Sequence, residues 1–540
     1  MSFSKKFFHD KLAAPMSRTS KILTLVCLAA FALILFRTAW VGDDVYITLR
    51  TVDNFVNGHG LLWNTSERVQ SFTHPLWLFL LVLVYAPTRD AYTTALTVSI
   101  VTSLLTFWLI IRRDGFAWLG AAILLFSKAF VDYSASGLEN PLTHLLLVLF
   151  FIYFIEKPSS TYRLGLLAAL LALNRIDAVL FVVPALGYLL FQPSSDLAPL
   201  HSPGPAASAQ SGRGFAGSLA SMADGFLPIF LWEIFSLLYY GFPFPNTYYA
   251  KLGAGILQGE MFEQGWVYFL DSLQRDPLTL TVILTGIGLS FWRGEKRERM
   301  LALGSLLYLV YVFSIGGDFM SGRFLTASLL ISSLLLLRLA RSWSKEQRAF
   351  AIGLVALLGI FSTPPNYILD LTQPRFTEHD LQTGINDERA YYYPISGLMN
   401  YRVGKGIPFS GEGWVEHGYA LRESGKSVVD EKNVGFIGYF AGPDVHIVDL
   451  YALCDPLLAR LPASSLDKWR IGHYEREVPN GYLPTLRTGI NQIHDPNLAA
   501  YYDQISLITR GPLFSRARLI AIWRMNTGQF NHLLPAESLQ

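Results

Sequence analysis

Residues 41–77 have the sequence VGDDVYITLRTVDNFVNGHGLLWNTSERVQSFTHPLW and follow a long apolar run. Asp43 and Asp44 therefore lie a few residues beyond the first hydrophobic helix, at the start of a polar loop. Acidic side chains beside a bilayer are energetically costly and usually have a function. Their placement predicts that this loop forms part of an active site.

The composition of the chain is that of a membrane protein. Its 540 residues are 51% hydrophobic and only 16% charged, and the mean hydropathy is +0.34. Several charge-free runs approach the roughly 20 residues that span a bilayer. The net charge of +2 reflects short basic clusters beside those runs, so it does not indicate a nucleic-acid partner. A soluble globular enzyme is excluded.

Basic clusters at the ends of apolar runs predict which loops face the cytoplasm. Residues 75–86 are too few to cross a bilayer at about 1.5 Å per residue, so we expect an outer juxtamembrane or re-entrant helix there. The N-terminus is then inside, and the predicted protein is a polytopic α-helical membrane protein of the cytoplasmic membrane. The predicted crossings, about eleven in all, are 22–39, 91–111, 117–135, 141–156, 163–174, 178–192, 223–240, 277–292, 299–316, 324–340 and 349–364.

Two of these segments, 163–174 and 178–192, are short and fit either full spans or half-helices. Residues 193–221 are rich in Ser, Pro, Gly and Ala, which predicts a flexible cytoplasmic linker inside a membrane domain of residues 1–364. Charges, Gly and Asn increase after residue 365. This change predicts an extracytoplasmic α/β soluble domain over residues 365–540, outside the membrane.

Within the predicted outer domain, VGFIGYFAGPDVHIVDL at 434–450 predicts two short buried strands around a Gly-Pro-Asp turn. Cys27 lies in the first apolar run and Cys454 in this domain, so no disulfide framework is implied. The sequence contains no Gly-rich phosphate loop, HExxH, CxxC or nucleophile elbow. We therefore predict no metal-binding residues and no resident cofactor, and the sequence leaves a metal requirement open.

Asp43 and Asp44 are the candidate catalytic residues. Adjacent residues point in different directions on a helix or a strand, so one of the two is expected to meet the substrate. In glycosyl transfer a carboxylate takes the proton of the acceptor hydroxyl or attacks the anomeric carbon. The alternative is a helix cap or a solvated acid pair. Tyr46 and Arg50 follow on the same segment as candidate loop contacts.

The end of the loop leads into an interfacial helix. Thr73 or His74 is the expected N-cap, with Pro75 at the first helical position. Trp77 suits the headgroup level of a membrane. Glu67, His74 and Trp77 are candidate loop or acceptor contacts, although an ordinary capped helix without a catalytic part explains these residues equally well.

Four other loops, at 136–140, 175–177, 244–251 and 316–323, are predicted on the same side as the acid pair. Their cations can neutralise a lipid phosphate, with Arg323 ranked before Lys251 and Arg175. Alternatively, each is a snorkelling or ion-paired residue at a helix end. The candidate donor-binding residues in these loops are Arg323, Lys251, Arg175, Asp318, Asn246 and Tyr248.

Taken in order, several stretches resemble the GT-C glycosyltransferases, and more closely the mycobacterial terminal arabinofuranosyltransferases. The resemblance extends from about residue 40 to about residue 485, and the ordered series is more specific than any one stretch. These stretches are GDDVYI (42–47), NGHGL (57–61), ERV (67–69), THPLW (73–77), GD (317–318), GRF (322–324), DPLLARLP (455–462), WRIGH (469–473), Arg476 and GY (481–482).

This resemblance implies a GT-C-type fold and a glycosyltransferase that moves a pentofuranose, with arabinofuranose as the first choice. The implied donor is a polyprenyl-phosphate sugar, and the implied acceptor is a glycan or glycolipid outside the cytoplasmic membrane. It also implies catalysis by Asp43 and Asp44, with the outer domain holding the acceptor. Arg470 and His473 are further acceptor candidates by the same resemblance. His74, where Asn is expected, and the linker at 193–221 depart from the family.

Other functions remain open at this point. The same fold can transfer another lipid-linked sugar, such as mannose or aminoarabinose. A lipid-linked-sugar transporter would need polar residues deep in several spans, whereas Glu233 stands alone in mid-span. A non-catalytic sugar-binding scaffold would not need the acid pair.

Overall fold

Helices dominate the computed structural model, which describes residues 18–112, 117–191, 214–252, 254–362, 378–404, 406–464 and 469–535. The basic N-terminal residues up to 17 and most of the predicted linker, residues 193–213, lie outside this part. Residues 215–221, which we predicted as linker, begin a helix instead. Alanine and leucine favour a helix there, and its small residues pack closely against the neighbouring helix at Gly165.

The N-terminal two thirds of the chain consist of seventeen α-helices among the described residues. They are α1 (Arg18–Thr38), α2 (Asp43–Val56), α3 (Pro75–Thr88), α4 (Ala91–Ile111), α5 (Ala117–Phe126), α6 (Lys128–Ser134), α7 (Asn140–Glu156), α8 (Thr161–Asn174), α9 (Val183–Phe191), α10 (Phe215–Gly225), α11 (Leu227–Tyr239), α12 (Asn246–Leu252), α13 (Gln258–Arg275), α14 (Pro277–Arg293), α15 (Lys296–Ser314), α16 (Leu325–Leu339) and α17 (Lys345–Ile360).

Apolar helices indicate a membrane protein. By length and composition, three helical stretches in the described chain can cross a bilayer: Lys21–Thr38, Ala91–Ile111 and Leu325–Ser342. Helices α10 and α11 meet at a 50° bend and pass the same test together, as a broken span or re-entrant loop. Helices α3, α7, α8 and α14 are shorter and apolar. The predicted count of about eleven crossings stays a prediction.

Two predicted spans are interrupted. The segment 117–135 is broken at Ser127, whose hydroxyl caps α6 at Phe130 N (3.1 Å) and bonds Asp276 (3.2 Å). Side-chain bonds to the backbone of this kind compete with helix continuation. The segment 178–192 contains part of a 3₁₀ helix, Ile176–Phe181, before α9 begins. It therefore matches the predicted half-helix alternative better than a single span.

The C-terminal region contains further helices and two very small sheets. Its elements are α18 (Glu378–Thr383), α19 (Glu388–Ser396), β1 (Val403–Gly404), β2 (Ile407–Pro408), α20 (Gly413–Glu423), β3 (Val428–Glu431), α21 (Phe436–Ala441), β4 (His446–Asp449), α22 (Tyr482–Thr488), α23 (Pro496–Arg510) and α24 (Arg516–Asn526). Strands β1 and β2 are antiparallel. Strands β3 and β4 are parallel, with Val428 opposite His446, and α21 connects them.

One of the two strands predicted at 434–450 is wrong. Residues 446–449 do form strand β4, but residues 436–441 form helix α21. A short apolar run fits a buried strand and a buried helix equally well by periodicity. The helix is favoured here because the carboxylate of Asp43, far away in sequence, accepts its first N–H groups.

The predicted polar loop is in part a buried helix that connects the membrane helices to the C-terminal region. Residues 43–56 form α2, and the ring of Tyr46 packs against Phe436 (4.7 Å) and Phe440 (5.7 Å). The buried guanidinium of Arg50 donates to the carbonyls of Trp63 and Val445, both at 2.8 Å, and to that of Gly438. Tyr46 and Arg50 are therefore parts of the contact between α2 and the C-terminal region.

Trp77 packs inside the protein, and its predicted place at the headgroup level stays a prediction. Its side chain is buried, and the indole N–H donates to the carbonyl of Gly137 at 3.2 Å. The loop before α7 covers the ring, so its polar end finds a protein partner instead of a lipid headgroup.

We expect Arg50→Ala to lower the melting temperature of the purified protein by several degrees. The carbonyls of Gly438 and Val445 would lose their donor, and an unsatisfied buried group costs about 1–3 kcal/mol. Arg422→Ala, on the exposed face of α20, is the matched control and should leave the melting temperature unchanged. Equal melting temperatures for both variants would contradict the role given to Arg50.

Candidate active site

The two acids at the start of α2 have different surroundings. The carboxylate of Asp43 is buried and accepts the N–H groups of Gly435 (3.0 Å) and Phe436 (2.6 Å). A Cβ on Gly435 would collide with the Asp43 carbonyl, so the two backbones meet directly. Asp44 is only half-buried, and no described residue donates a hydrogen bond to its carboxylate. Asp43 thus contacts the C-terminal region, whereas the half-buried Asp44 carboxylate remains open to the cleft.

Charges around the cleft tune both acids. Burial raises the pKa of Asp43 to about 7, although the Phe436 N–H opposes the rise. Burial also raises the pKa of Asp44, while the positive charges of Arg323 and Lys251 lower it. A carboxylate with a raised pKa is a stronger base than an ordinary aspartate. The cations that face Asp44 oppose the rise that burial causes in its pKa.

Glu139 is the centre of the cationic side of the site. Its buried carboxylate accepts two bonds from Arg323, at 3.0 and 3.1 Å, and one from Arg175 at 2.9 Å. Burial alone would raise the pKa of Glu139, but the two guanidinium groups outweigh it and hold the pKa well below its usual range. Sequence reasoning did not single out Glu139 as a site residue. Its only signal was an acid in the outer loop SGLEN, before an apolar run.

Arg323 and Arg175 are both ion-paired, which is the alternative that we gave for these cations. Arg323 Nη1 lies 3.5 Å from Asp318 Oδ2, and Arg175 bonds Asp177 at 2.6 and 3.0 Å. The guanidinium of Arg175 also lies over the ring of Phe324, 4.5 Å from its centroid. The charges of Arg323 and Arg175 are therefore already balanced by protein acids. Their clearest role is to fix the shape and potential of the cleft.

Lys251 differs from the two arginines. It lies near the end of α12 with an exposed side chain, and no described acid is within ion-pair distance of its ammonium. The loop at 469–473 comes close, since a Cβ on Gly472 would be 3.9 Å from Lys251 Cε. Although water reaches it, the surrounding protein walls and Arg323 lower the pKa of Lys251. Lys251 is the cation that is most available to an incoming anion.

The C-terminal region contributes a second wall. Arg470 lies over the ring of Phe319 (4.7 Å) and bonds Glu388 at 3.3 Å. Burial raises the pKa of Glu388 to about 8, against the charge of Arg470. His473 packs edge-on against Phe319, and burial lowers its pKa to about 3. Glu388 was missed from the sequence, because nothing in its neighbourhood distinguishes it from an ordinary acid at a helix start.

His74 connects α2 to the cationic cluster. One imidazole nitrogen lies 2.8 Å from Thr48 Oγ1, and the other lies 3.8 Å from Glu139 Oε2. Burial lowers the pKa of His74 to about 4, so the ring is neutral at pH 7. A neutral imidazole and a side-chain amide both combine an N–H donor group with an acceptor atom. His74 in place of the expected Asn therefore retains both a hydrogen-bond donor and an acceptor at this position.

Three predicted site residues have partners outside the cleft. Glu67 pairs with Arg510 at 3.1 Å. The amide of Asn246 donates to the carbonyls of Ala452 and Asp455, both at 2.9 Å. Tyr248 is exposed and stacks on Phe244. The structure thus brings together Asp44, Arg323, Lys251, Arg175, Asp318, His74, Arg470 and His473, with Glu139 and Glu388 added.

Within the described chain, no group of three or more His, Cys, Asp or Glu side chains is arranged to hold a metal ion. The absence of a resident cofactor stays a prediction. Any catalysis in this cleft by the residues above would use carboxylates and fixed cations.

Comparison with known proteins gives a consistent answer. No protein-family model matches the chain. A protein named terminal beta-(1->2)-arabinofuranosyltransferase from Mycobacterium tuberculosis is 26% identical over 544 residues, which is 82% of this chain and 81% of that protein. A protein of the same name from Corynebacterium glutamicum is 27% identical over 366 residues, 60% of this chain and 51% of that protein. The resemblance inferred from the sequence is confirmed: the chain is a relative of the terminal arabinofuranosyltransferases, which are glycosyltransferases.

Proposed function

We propose that this chain transfers a pentofuranose, arabinofuranose first, from a polyprenyl-phosphate donor to a glycan or glycolipid on the extracytoplasmic side of the cytoplasmic membrane. The observation that carries the proposal is the free carboxylate of Asp44, which faces Arg323, Lys251 and Arg470. The names of both relatives support arabinofuranose as the sugar.

In this mechanism Asp44 is the general base. The acceptor hydroxyl gives its proton to the carboxylate as its oxygen bonds the anomeric carbon of the donor. The bond between that carbon and the phosphate oxygen breaks, and the lipid phosphate leaves as an anion. A phosphate departs readily and needs a cation rather than an acid, which fits the cationic wall. Direct attack of Asp44 on the anomeric carbon is the alternative for a retaining enzyme.

Lys251 is the proposed phosphate ligand. Its ammonium is accessible and free of described acid partners, whereas Glu139 and Asp318 already balance Arg323. Helix α12 also carries an exposed Tyr248 and an exposed Leu252. The same short helix therefore offers an apolar surface for the polyprenyl chain and a charge for its phosphate. Arg175 acts through Glu139 as a positioning residue.

The acceptor has a candidate groove on the C-terminal region. A cavity of about 360 Å³ is lined by Trp414, His417, Asp430, Glu431, Lys432, Asn433, Ile437 and Leu450. It combines an aromatic ring with donors and acceptors of both charge signs, which suits a polyhydroxyl glycan. Ile437 belongs to α21, whose first N–H groups bind Asp43. This groove therefore adjoins the helix contact that positions the acid pair.

Asp44→Asn should abolish transfer, by about 10²-fold or more, because the base is lost while the shape is kept. Asp43→Asn should lower the melting temperature and reduce transfer only partly, because it weakens the docking of α21. The assay is glycan product formed from a synthetic polyprenyl-phosphate arabinofuranose by the purified protein. Transfer by Asp44→Asn at close to the unsubstituted rate would rule out the proposed base.

Lys251→Gln should raise the KM for the donor about tenfold, since one direct phosphate contact is worth about 1–2 kcal/mol. The melting temperature should stay the same, because no described ion pair is broken. Lys296→Gln, on the exposed start of α15, is the matched control. An unchanged donor KM in Lys251→Gln would exclude Lys251 as a phosphate ligand.

Trp414→Ala should raise the KM for a long arabinan acceptor severalfold and leave the donor KM unchanged. The loss of a stacking ring weakens acceptor binding without touching the phosphate wall. Tyr162→Ala, an exposed aromatic on α8, provides the control. Equal acceptor KM values for Trp414→Ala and the unsubstituted protein would show that the groove does not bind the acceptor.

A competition assay distinguishes the remaining functions. Polyprenyl-phosphate arabinofuranose, mannose and aminoarabinose are offered to the same preparation, and the glycan products are identified. We expect the arabinofuranose product. A mannose or aminoarabinose product would show that the enzyme transfers that sugar instead. Movement of lipid-linked sugar across the vesicle membrane without a glycan product would favour a transporter.

A further inference from the structure

Helix α24 has apolar side chains on two opposite faces. Ala521, Ile522 and Met525 are buried in a hydrophobic cluster of the C-terminal region. On the opposite face Leu519, Ile520 and Trp523 are 40%, 41% and 68% exposed. At 3.6 residues per turn these three lie within an arc of about 100°. Large apolar side chains clustered on an exposed surface commonly mark a contact site, so this second face is a candidate for one.

The residues just before α24 extend the exposed surface. Phe514 is 75% exposed, which is unusual for so large a ring. Arg516 and Arg524 are also exposed, near the two ends of the helix. We call Phe514, Leu519, Ile520 and Trp523, with these two arginines, the α24 face. It combines large apolar groups with positive charge only.

Helix α24 is fixed to the end of a membrane helix. The fully buried Arg518 donates to the carbonyls of Leu238 (2.7 Å) and Tyr239 (2.9 Å), the last residues of α11. Asn526 donates to the carbonyl of Gly241 at 2.8 Å. These bonds satisfy carbonyls at and just beyond the end of α11, which its own helix leaves open. Helix α24 therefore lies where α11 ends.

The surface of α11 shows what surrounds that end. With α10 it has the length and apolarity of a broken span. Its exposed side chains include Phe230, Leu231 and Ile234, which are the residues that face lipid in a membrane helix. The α24 face is therefore held at the end of an exposed apolar surface, at the depth where tryptophan and arginine are favoured.

We propose that the α24 face is a membrane-docking surface that lies in the headgroup layer of the leaflet at the C-terminal end of α11. Phe514 and Trp523 enter the boundary between headgroups and acyl chains, and Arg516 and Arg524 bind lipid phosphates. A second copy of the chain fits less well, because a two-fold contact would place these arginines close to their own copies. The proposal does not depend on which sugar is transferred.

Docking would be transmitted to the active-site loop. Helix α23 ends at Arg510, which pairs with Glu67 at 3.1 Å, and the carbonyl of Thr509 accepts the N–H of Arg68 at 2.9 Å. Both partners belong to the stretch between α2 and α3. A lipid contact at α24 thus restrains the stretch that follows α2, the helix that begins with the acid pair.

The test uses the full-length protein in vesicles, with Cys27→Ser so that the buried Cys454 is the remaining native cysteine. Trp523→Cys is labelled with an environment-sensitive fluorophore and quenched by nitroxide lipids or by aqueous iodide. Glu423→Cys, exposed on α20 of the same region, is the matched control. We expect lipid quenching at least threefold stronger at position 523 than at 423, and the reverse order for iodide.

Iodide quenching of similar strength at both positions would overturn the proposal, because the α24 face would then be in water. Self-quenching between labels at position 523 that disappears on dilution into excess lipid would overturn it in favour of a second copy. The variant Arg516→Gln with Arg524→Gln tests the charge. It should weaken lipid quenching at 523 in vesicles with anionic phospholipid and leave it unchanged in zwitterionic vesicles. Lipid quenching at position 523 that is equally strong with and without the two substitutions in anionic vesicles would exclude phosphate binding by these arginines.

Discussion

The bond between the Asp43 carboxylate and the first N–H groups of α21 is the contact on which the site depends. It places a negative charge at a helix N-terminus, where backbone donors are otherwise unsatisfied. Because adjacent side chains on α2 diverge, fixing Asp43 turns Asp44 towards the opposite wall of the cleft. One acid is used for assembly, and the carboxylate of the other remains open to the cleft.

The opposite wall is fixed by a second buried carboxylate. Glu139 holds Arg323, Arg175 and the neighbouring His74, which come from three separate parts of the chain. Such a network has a low tolerance for loss of one member, since the remaining charges would be buried without partners. These bonds also hold the charged groups in fixed positions, as in sites that are preorganised to stabilise developing charge.

The sequence was informative where local chemistry decides structure. The helix at 91–111 and the start of α3 at Pro75 followed from apolar run lengths and proline. The sequence was uninformative where a partner far along the chain decides the local structure. Residues 436–441 are helical because Asp43 caps them, and Glu139 and Glu388 gain their roles from arginines far along the chain. The burial of Trp77 likewise depends on a distant partner, the loop at Gly137.

The absence of a side chain at Gly435 has a consequence for biosynthesis. Helix α2 is among the first segments to leave the ribosome, yet the backbone that meets Asp43 is about 390 residues further along. No earlier described segment supplies those two N–H groups, so a nascent chain carries its acid pair undocked until translation is nearly complete. Premature termination before residue 435 therefore leaves helix α2 without the backbone contact that holds Asp43.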